Sequence, residues 1–274
     1  MTHAPGMGKR RTAHWKFLLL VVTVLALSAV IARWMRGWLP FGEQRIFHRV
    51  ASVVGLVGLY VMRRRIDRRS IASLGWAPRQ GAWTDFLTGV RLGAITLLGL
   101  MAVLWWCGAW HVRVNPNAQQ LWWSLVTFVP SAMLIGGVEE LVFRGYVLRT
   151  LMEEYTTRTA LLLTSGGYAL AHLFVKPPTL WPLMWADMIG LFGFGIVLAY
   201  ATLRTQLLYL PIGLHASLVY LVKSQKHLIA FDGGSPAWLF GSERLVTGAF
   251  GWLALGVLGW WVWRVTRDRV IRGG

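Results

Sequence analysis

The sequence predicts an all-α fold, a polytopic membrane bundle of about eight transmembrane helices. Three observations lead there. Of 274 residues, 55% are apolar and 14% charged, against ~25% charged in an average soluble domain. The apolar residues fall into long runs, each near the ~20 residues a helix needs to cross a bilayer. The net charge of +17, from 28 Lys and Arg against 11 Asp and Glu, sits mainly between those runs, where a negative membrane surface retains it. On a soluble chain such a charge would suggest nucleic acid; here none is expected as a partner. A disulfide framework and a Cys-rich zinc site are excluded, because Cys107 is the single cysteine.

The expected spans are 15–39, 46–62, 83–110, 121–151, 159–175, 182–203, 207–222 and 245–263. The first follows a basic start at Lys9, Arg10 and Arg11 and runs into Arg33 and Arg36 with no cleavage site, so it is expected to be an uncleaved anchor. An even number of spans starting inside gathers most cations, including Arg63, Arg64, Arg65, Arg68 and Arg69, on the inner side. The positive-inside rule then puts both termini in the cytoplasm, with the protein multi-pass in a membrane, a bacterial inner membrane by expectation. The run 63–69 reads as topogenic. Tryptophans flank many spans, as an aromatic belt requires. Internal repeats of the transporter kind are absent.

Charged side chains inside a span are functional candidates, since each costs ~2.5–3.5 kcal/mol at mid-bilayer. The fourth span carries Glu139, Glu140 and Arg144. Glu140 and Arg144 are four apart, so one helix face holds both and an ion pair is expected. Glu139 points ~100° away and is free to act as base or acid. The fifth span carries His172 and the seventh His215. Counted from the nearest inner arginine at ~1.5 Å per residue, Glu139, His172 and His215 lie ~15–21 Å deep. Three helices thus bring three titratable groups to a similar level, which suggests one shared buried site.

Several chemistries suit a glutamate and two histidines. Water activation by Glu139 with His172, and polarisation of a peptide carbonyl by His215, would hydrolyse a peptide bond. The same three groups could ligate a divalent metal such as zinc, although no HExxH of the zincin type is present. A proton-coupled transporter could use them as a relay.

These residues resemble the CPBP intramembrane proteases, which include the type II CAAX prenyl endopeptidases and the bacterial Abi-like proteins. The family's EExxxR followed by Gly matches Glu139, Glu140, Arg144 and Gly145. Its aromatic-xxxH matches Tyr168 and His172, with Tyr in place of the usual Phe, and its HxxxN matches His215 but has Val219 in place of Asn. Residues 192–215 and Ser73-Leu74-Gly75-Trp76 are also similar, so the resemblance covers roughly 71–220. It implies an eight-helix endopeptidase acting on a membrane-associated protein or peptide. Glu139 would be the base, His172 its partner, His215 the oxyanion donor and Glu140–Arg144 a structural pair. No cofactor is required by this reading, with zinc on Glu139, His172 and His215 as the metal alternative. The chain divides accordingly into an N-terminal segment with two spans (1–65), a catalytic helical core (66–223), and an outer loop with the last span (224–274). The competing functions are a catalytically silent relative acting in immunity or scaffolding, and a proton-linked transporter. Membrane lipids are the other expected partner.

Overall fold

The computed structural model describes residues 12–38, 42–172, 181–231, 236–241 and 247–269. The cations Lys9, Arg10, Arg11, Lys176, Arg244 and Arg272 lie outside them. Every expected span contains a helix. They are α1 (Thr12–Met35), α2 (Glu43–Val61), α3 (Ala82–Trp106), α4 (Ala118–Glu140) with its continuation α5 (Leu148–Met152), α6 (Thr157–Ala171), α7 (Trp181–Thr205), α8 (Tyr209–Gln225) and α10 (Ala249–Thr266), with a short α9 (Ala237–Phe240) before the last. Among the described residues, four helices are long and apolar enough by themselves to cross a membrane, namely Leu18–Met35, Ala82–Trp106, Ala118–Met152 and Met184–Thr205.

The structure adds one element the sequence does not announce. The third helix was expected to reach residue 110, yet it stops at Trp106, because Gly108 takes a left-handed φ of 70° and turns the chain. Beyond it β1 (Trp110–Val112) pairs antiparallel with β2 (Ile229–Phe231), with Trp110 opposite Phe231. The ladder continues as Arg113 N–H to Leu228 O and Asn115 N–H to His227 O, both 2.9 Å. This ribbon ties the start of α4 to the end of α8. The fifth helix likewise ends at Ala171, short of the expected 175; residues 173–180 are outside the described set.

Helix α8 is the axis of the bundle. Residues 210–218 are all buried, and a helix apolar on every side belongs inside. Glycines let its neighbours close on it. A Cβ on Gly213 would collide with the carbonyl of Phe86 in α3, and one on Gly89 with that of Leu210. On the opposite side a Cβ on Gly136 of α4 would stand 3.0 Å from Ala216 N. Small residues permit this backbone approach, which replaces the hydrophobic driving force that lipid cannot supply between helices. The main core, with Leu97, Leu104, Tyr168, Leu198, Leu214 and Leu258, fills the space among α3, α6, α7, α8 and α10. A second core joins α1 and α2 to the loop after α2 and the turn after α4 through Leu20, Leu59, Leu74 and Tyr146.

This packing predicts a contrast between two glycines. Gly213→Ala should destabilise by ~1–3 kcal/mol through overpacking. Gly99→Ala, on a face of α3 where a Cβ meets nothing within 4 Å, should be neutral or stabilising, since alanine is the better helix former. Thermal unfolding of the two purified variants checks it; equal melting temperatures would contradict the close α3–α8 contact.

Candidate active site

The site starts where α4 changes pitch. Glu139 and Glu140 end the α-helix, and Leu141–Val147 continue as a π-helical turn before α5. Such wider turns often occur at functional positions. Arg144 sits in this turn, and its Nη1 donates to Glu140 Oε1 at 2.9 Å, with both side chains completely buried. The expected i,i+4 pair is therefore present in geometry. Its surroundings are richer than the spacing implies. Arg144 Nη2 donates to the carbonyl of Gly195 in α7 at 3.3 Å. The guanidinium carbon stands 4.5 Å from the Tyr168 ring centroid and 5.8 Å from that of Phe143, so the cation is faced by π clouds as well as a carboxylate.

His215 of α8 faces both glutamates. Its Nδ1 is 2.8 Å from Glu140 Oε1, and its Nε2 is 3.7 Å from Glu139 Oε2. A carboxylate already paired with Arg144 only accepts, so Nδ1 carries the hydrogen and Nε2 is turned to Glu139. The imidazole is held by edge-to-face contacts from Phe194 (5.3 Å, 87°) and Tyr168 (6.1 Å, 80°). Glu139 is the accessible member, at 29% side-chain exposure. Among the described residues its Oε2 has no hydrogen-bond partner.

His172 reaches the cluster by another route. It caps the end of α6, its Nδ1 lies 2.9 Å from the carbonyl of Tyr168, and the two rings are 4.6 Å apart. Among the described residues no hydrogen bond or ion pair joins it to Glu139. The sequence reading paired Glu139 with His172; in the structure the imidazole beside Glu139 is that of His215, and His172 packs at a tilt against Tyr168. Tyr168 is the member that sequence reasoning undervalued. It touches Arg144, His172 and His215 and is 1% exposed. Its position four residues before His172, on the same helix face, was the available signal. Gly195 gave none, because it contributes a carbonyl.

Val219 lies one turn beyond His215 and is half-buried. Ser217 cannot replace the polar group missing there. Its Oγ donates to Leu214 O at 2.9 Å and packs against Gly93 of α3, away from the glutamates. Nor do the residues suit a metal. Among the described residues no three His, Cys, Asp or Glu side chains gather to hold an ion, and His215 Nδ1 is committed to Glu140.

Residues 120–221 match the family described as Type II CAAX prenyl endopeptidase Rce1-like. The segment is a CPBP/CAAX protease domain. Its span takes in α4 through α8 and so contains every group of the site, from Glu139 to His215. The expected resemblance began near residue 71, whereas the match starts beyond α3. The CAAX protease family is one of peptide hydrolases, which makes this domain an endopeptidase in class. No curated protein and no solved structure matches the chain.

The geometry divides the labour of the two glutamates. Glu140→Gln leaves Arg144 buried without its counter-charge and should cost ~3–5 kcal/mol of stability. Glu139→Gln, at a partly exposed position outside that pair, should leave the melting temperature within the spread of the wild type. Comparable destabilisation in both would contradict the arrangement.

Proposed function

We propose that the CAAX protease domain is an intramembrane endopeptidase in which Glu139 activates water and His215 stabilises the oxyanion. One observation carries this reading: a single buried imidazole faces both glutamates, fixed by one at 2.8 Å and turned toward the other at 3.7 Å. The longer separation is beyond a direct hydrogen bond. At 3.7 Å no atom fits between the two, but a water oxygen lying beside them can reach both, and contacts of this kind rearrange when substrate binds.

In the proposed reaction, the Glu139 carboxylate takes a proton from water as the oxygen attacks the peptide carbonyl. Negative charge grows on the carbonyl oxygen. In this scheme His215 carries a proton on both ring nitrogens: Nδ1–H is held by Glu140 and Nε2–H donates to the oxyanion, and a ring fixed by Glu140, Phe194 and Tyr168 does so without reorganising. Glu139 then returns the proton to the leaving amine. Glu140 acts here through His215, so it is a positioning residue as well as the partner of Arg144. His172 supports Glu139 through Tyr168 in this scheme. The substrate is a membrane-associated protein or peptide, and the termini face the cytoplasm.

Glu139→Gln should abolish cleavage, and His215→Asn should slow it by ~100-fold or more, as loss of an oxyanion donor does elsewhere. Val219→Asn, which places an amide one turn from His215, should keep the rate or raise it. The assay is turnover of a quenched-fluorescent peptide library by the full chain in liposomes, with circular dichroism confirming the fold. Persistent cleavage by a folded Glu139→Gln variant would overturn the mechanism.

A further inference from the structure

The inner end of the bundle collects arginines from separate stretches of sequence. Arg63, in the π-helical turn Met62–Ile66 after α2, is buried; its Nη2 donates to Ser73 Oγ at 2.7 Å and its Nη1 stands 3.6 Å from Asp67 Oδ2. Lys16 of α1 takes the other oxygen of Asp67 at 2.7 Å, so that carboxylate serves two cations. Arg69 pairs with Glu153. Arg149 of α5 donates Nη2 to the carbonyl of Gln206 at 2.9 Å. A Cβ on Gly75 would come within 2.7 Å of that nitrogen, so the loop backbone packs directly on the guanidinium. Arg63 is tied to this loop at Ser73, and exposed Arg79 follows Gly75 in the same loop. Among the described residues neither Arg79 nor Arg149 has a carboxylate partner, and the buried Nε atoms of Arg63 and Arg149 lack acceptors. Arg63 is offset by Asp67, whereas Arg79 and Arg149 bring two guanidinium charges to the same loop without a carboxylate, an arrangement that favours an anion from outside the chain.

The same loop shows where that anion would come from. Trp76 is 46% exposed and stacks on Tyr209, with 6.3 Å between centroids, and the Tyr209 hydroxyl donates to Trp76 O at 3.0 Å. Leu208 N–H also donates to Gly75 O at 3.1 Å. The loop is thus fastened to the α7–α8 connection, with an exposed Trp and a Tyr beside the arginines. Trp and Tyr favour the headgroup level of a bilayer, and guanidinium groups match phosphate geometry.

We propose that Arg63, Arg79 and Arg149 form a phosphate site for the headgroup of an anionic phospholipid, with Trp76 against its glycerol region. The site is separate from the glutamate–histidine cluster and stands or falls independently of the proposed reaction. Binding should stabilise the folded chain by mass action.

The test is thermal unfolding of the full chain in neutral detergent. The additions are dioleoyl-phosphatidylglycerol, dioleoyl-phosphatidylcholine or inorganic phosphate. Phosphatidylglycerol should raise the melting temperature by roughly 5 °C at saturation, and phosphatidylcholine should not. Arg79→Gln, at an exposed position that does not threaten folding, should weaken binding of phosphatidylglycerol about tenfold. Arg264→Gln, which removes an exposed inner-side charge elsewhere, should leave it unchanged. Equal shifts with the two lipids, or equal losses in the two variants, would overturn the site. If inorganic phosphate gives the full shift, the phosphate chemistry holds and the lipid assignment is overturned.

Discussion

Glu140 Oε1 accepts from Arg144 at 2.9 Å and from His215 at 2.8 Å, in a place with no exposure to solvent, and much of the bundle is arranged around that shared oxygen. A carboxylate, a guanidinium and an imidazole cannot sit in an apolar interior unless each is paired and hydrogen-bonded. The π-helical turn at Leu141–Val147 carries Arg144 while keeping it on the side of Glu140. Helix α7 supplies the Gly195 carbonyl to the second guanidinium nitrogen, and α6 packs Tyr168 under the cation. Four helices therefore meet at one charge cluster.

That cluster also explains where the small residues fall. Gly136, one turn before Glu140, lets α4 close on Ala216, the neighbour of His215. Gly195 is pressed against Ser165, so that α7 brings its carbonyl within reach of Arg144 from beside α6. Gly89 and Gly213 hold α8 against α3 on the far side. Without these approaches the imidazole could not stand 2.8 Å from one glutamate and 3.7 Å from the other. Burial of Glu140 and partial exposure of its neighbour Glu139 follow from the ~100° step between successive helical residues, which turns one inward and the other toward the open side.

The helices and the glutamate–arginine pair were legible in the sequence because both rest on short-range rules. Apolar runs of ~20 residues leave few alternatives in a membrane protein, and residues four apart meet on a helix whatever surrounds them. Depth counting placed His172 and His215 at the level of Glu139, but it carries no angular information. It could not say that α8 turns His215 onto the glutamates while α6 ends at His172 and packs it against the Tyr168 ring. The β1–β2 ribbon was hidden for a different reason. Three-residue strands have no periodicity of their own, and this pair is made by two segments more than a hundred residues apart. The convergence of Arg63, Arg79 and Arg149 is equally non-local, and in the sequence it reads only as inner-side charge.

Glu140 and His215 form one coupled buried unit. A double-mutant cycle in thermal or chemical unfolding measures this, with Glu140→Gln, His215→Asn and the double variant compared with the wild type. Groups sharing a buried hydrogen-bond network show coupling of ~0.5–3 kcal/mol, and a value above ~1 kcal/mol is expected here because the acceptor is a desolvated carboxylate. Additive losses, with coupling below ~0.3 kcal/mol, would contradict it.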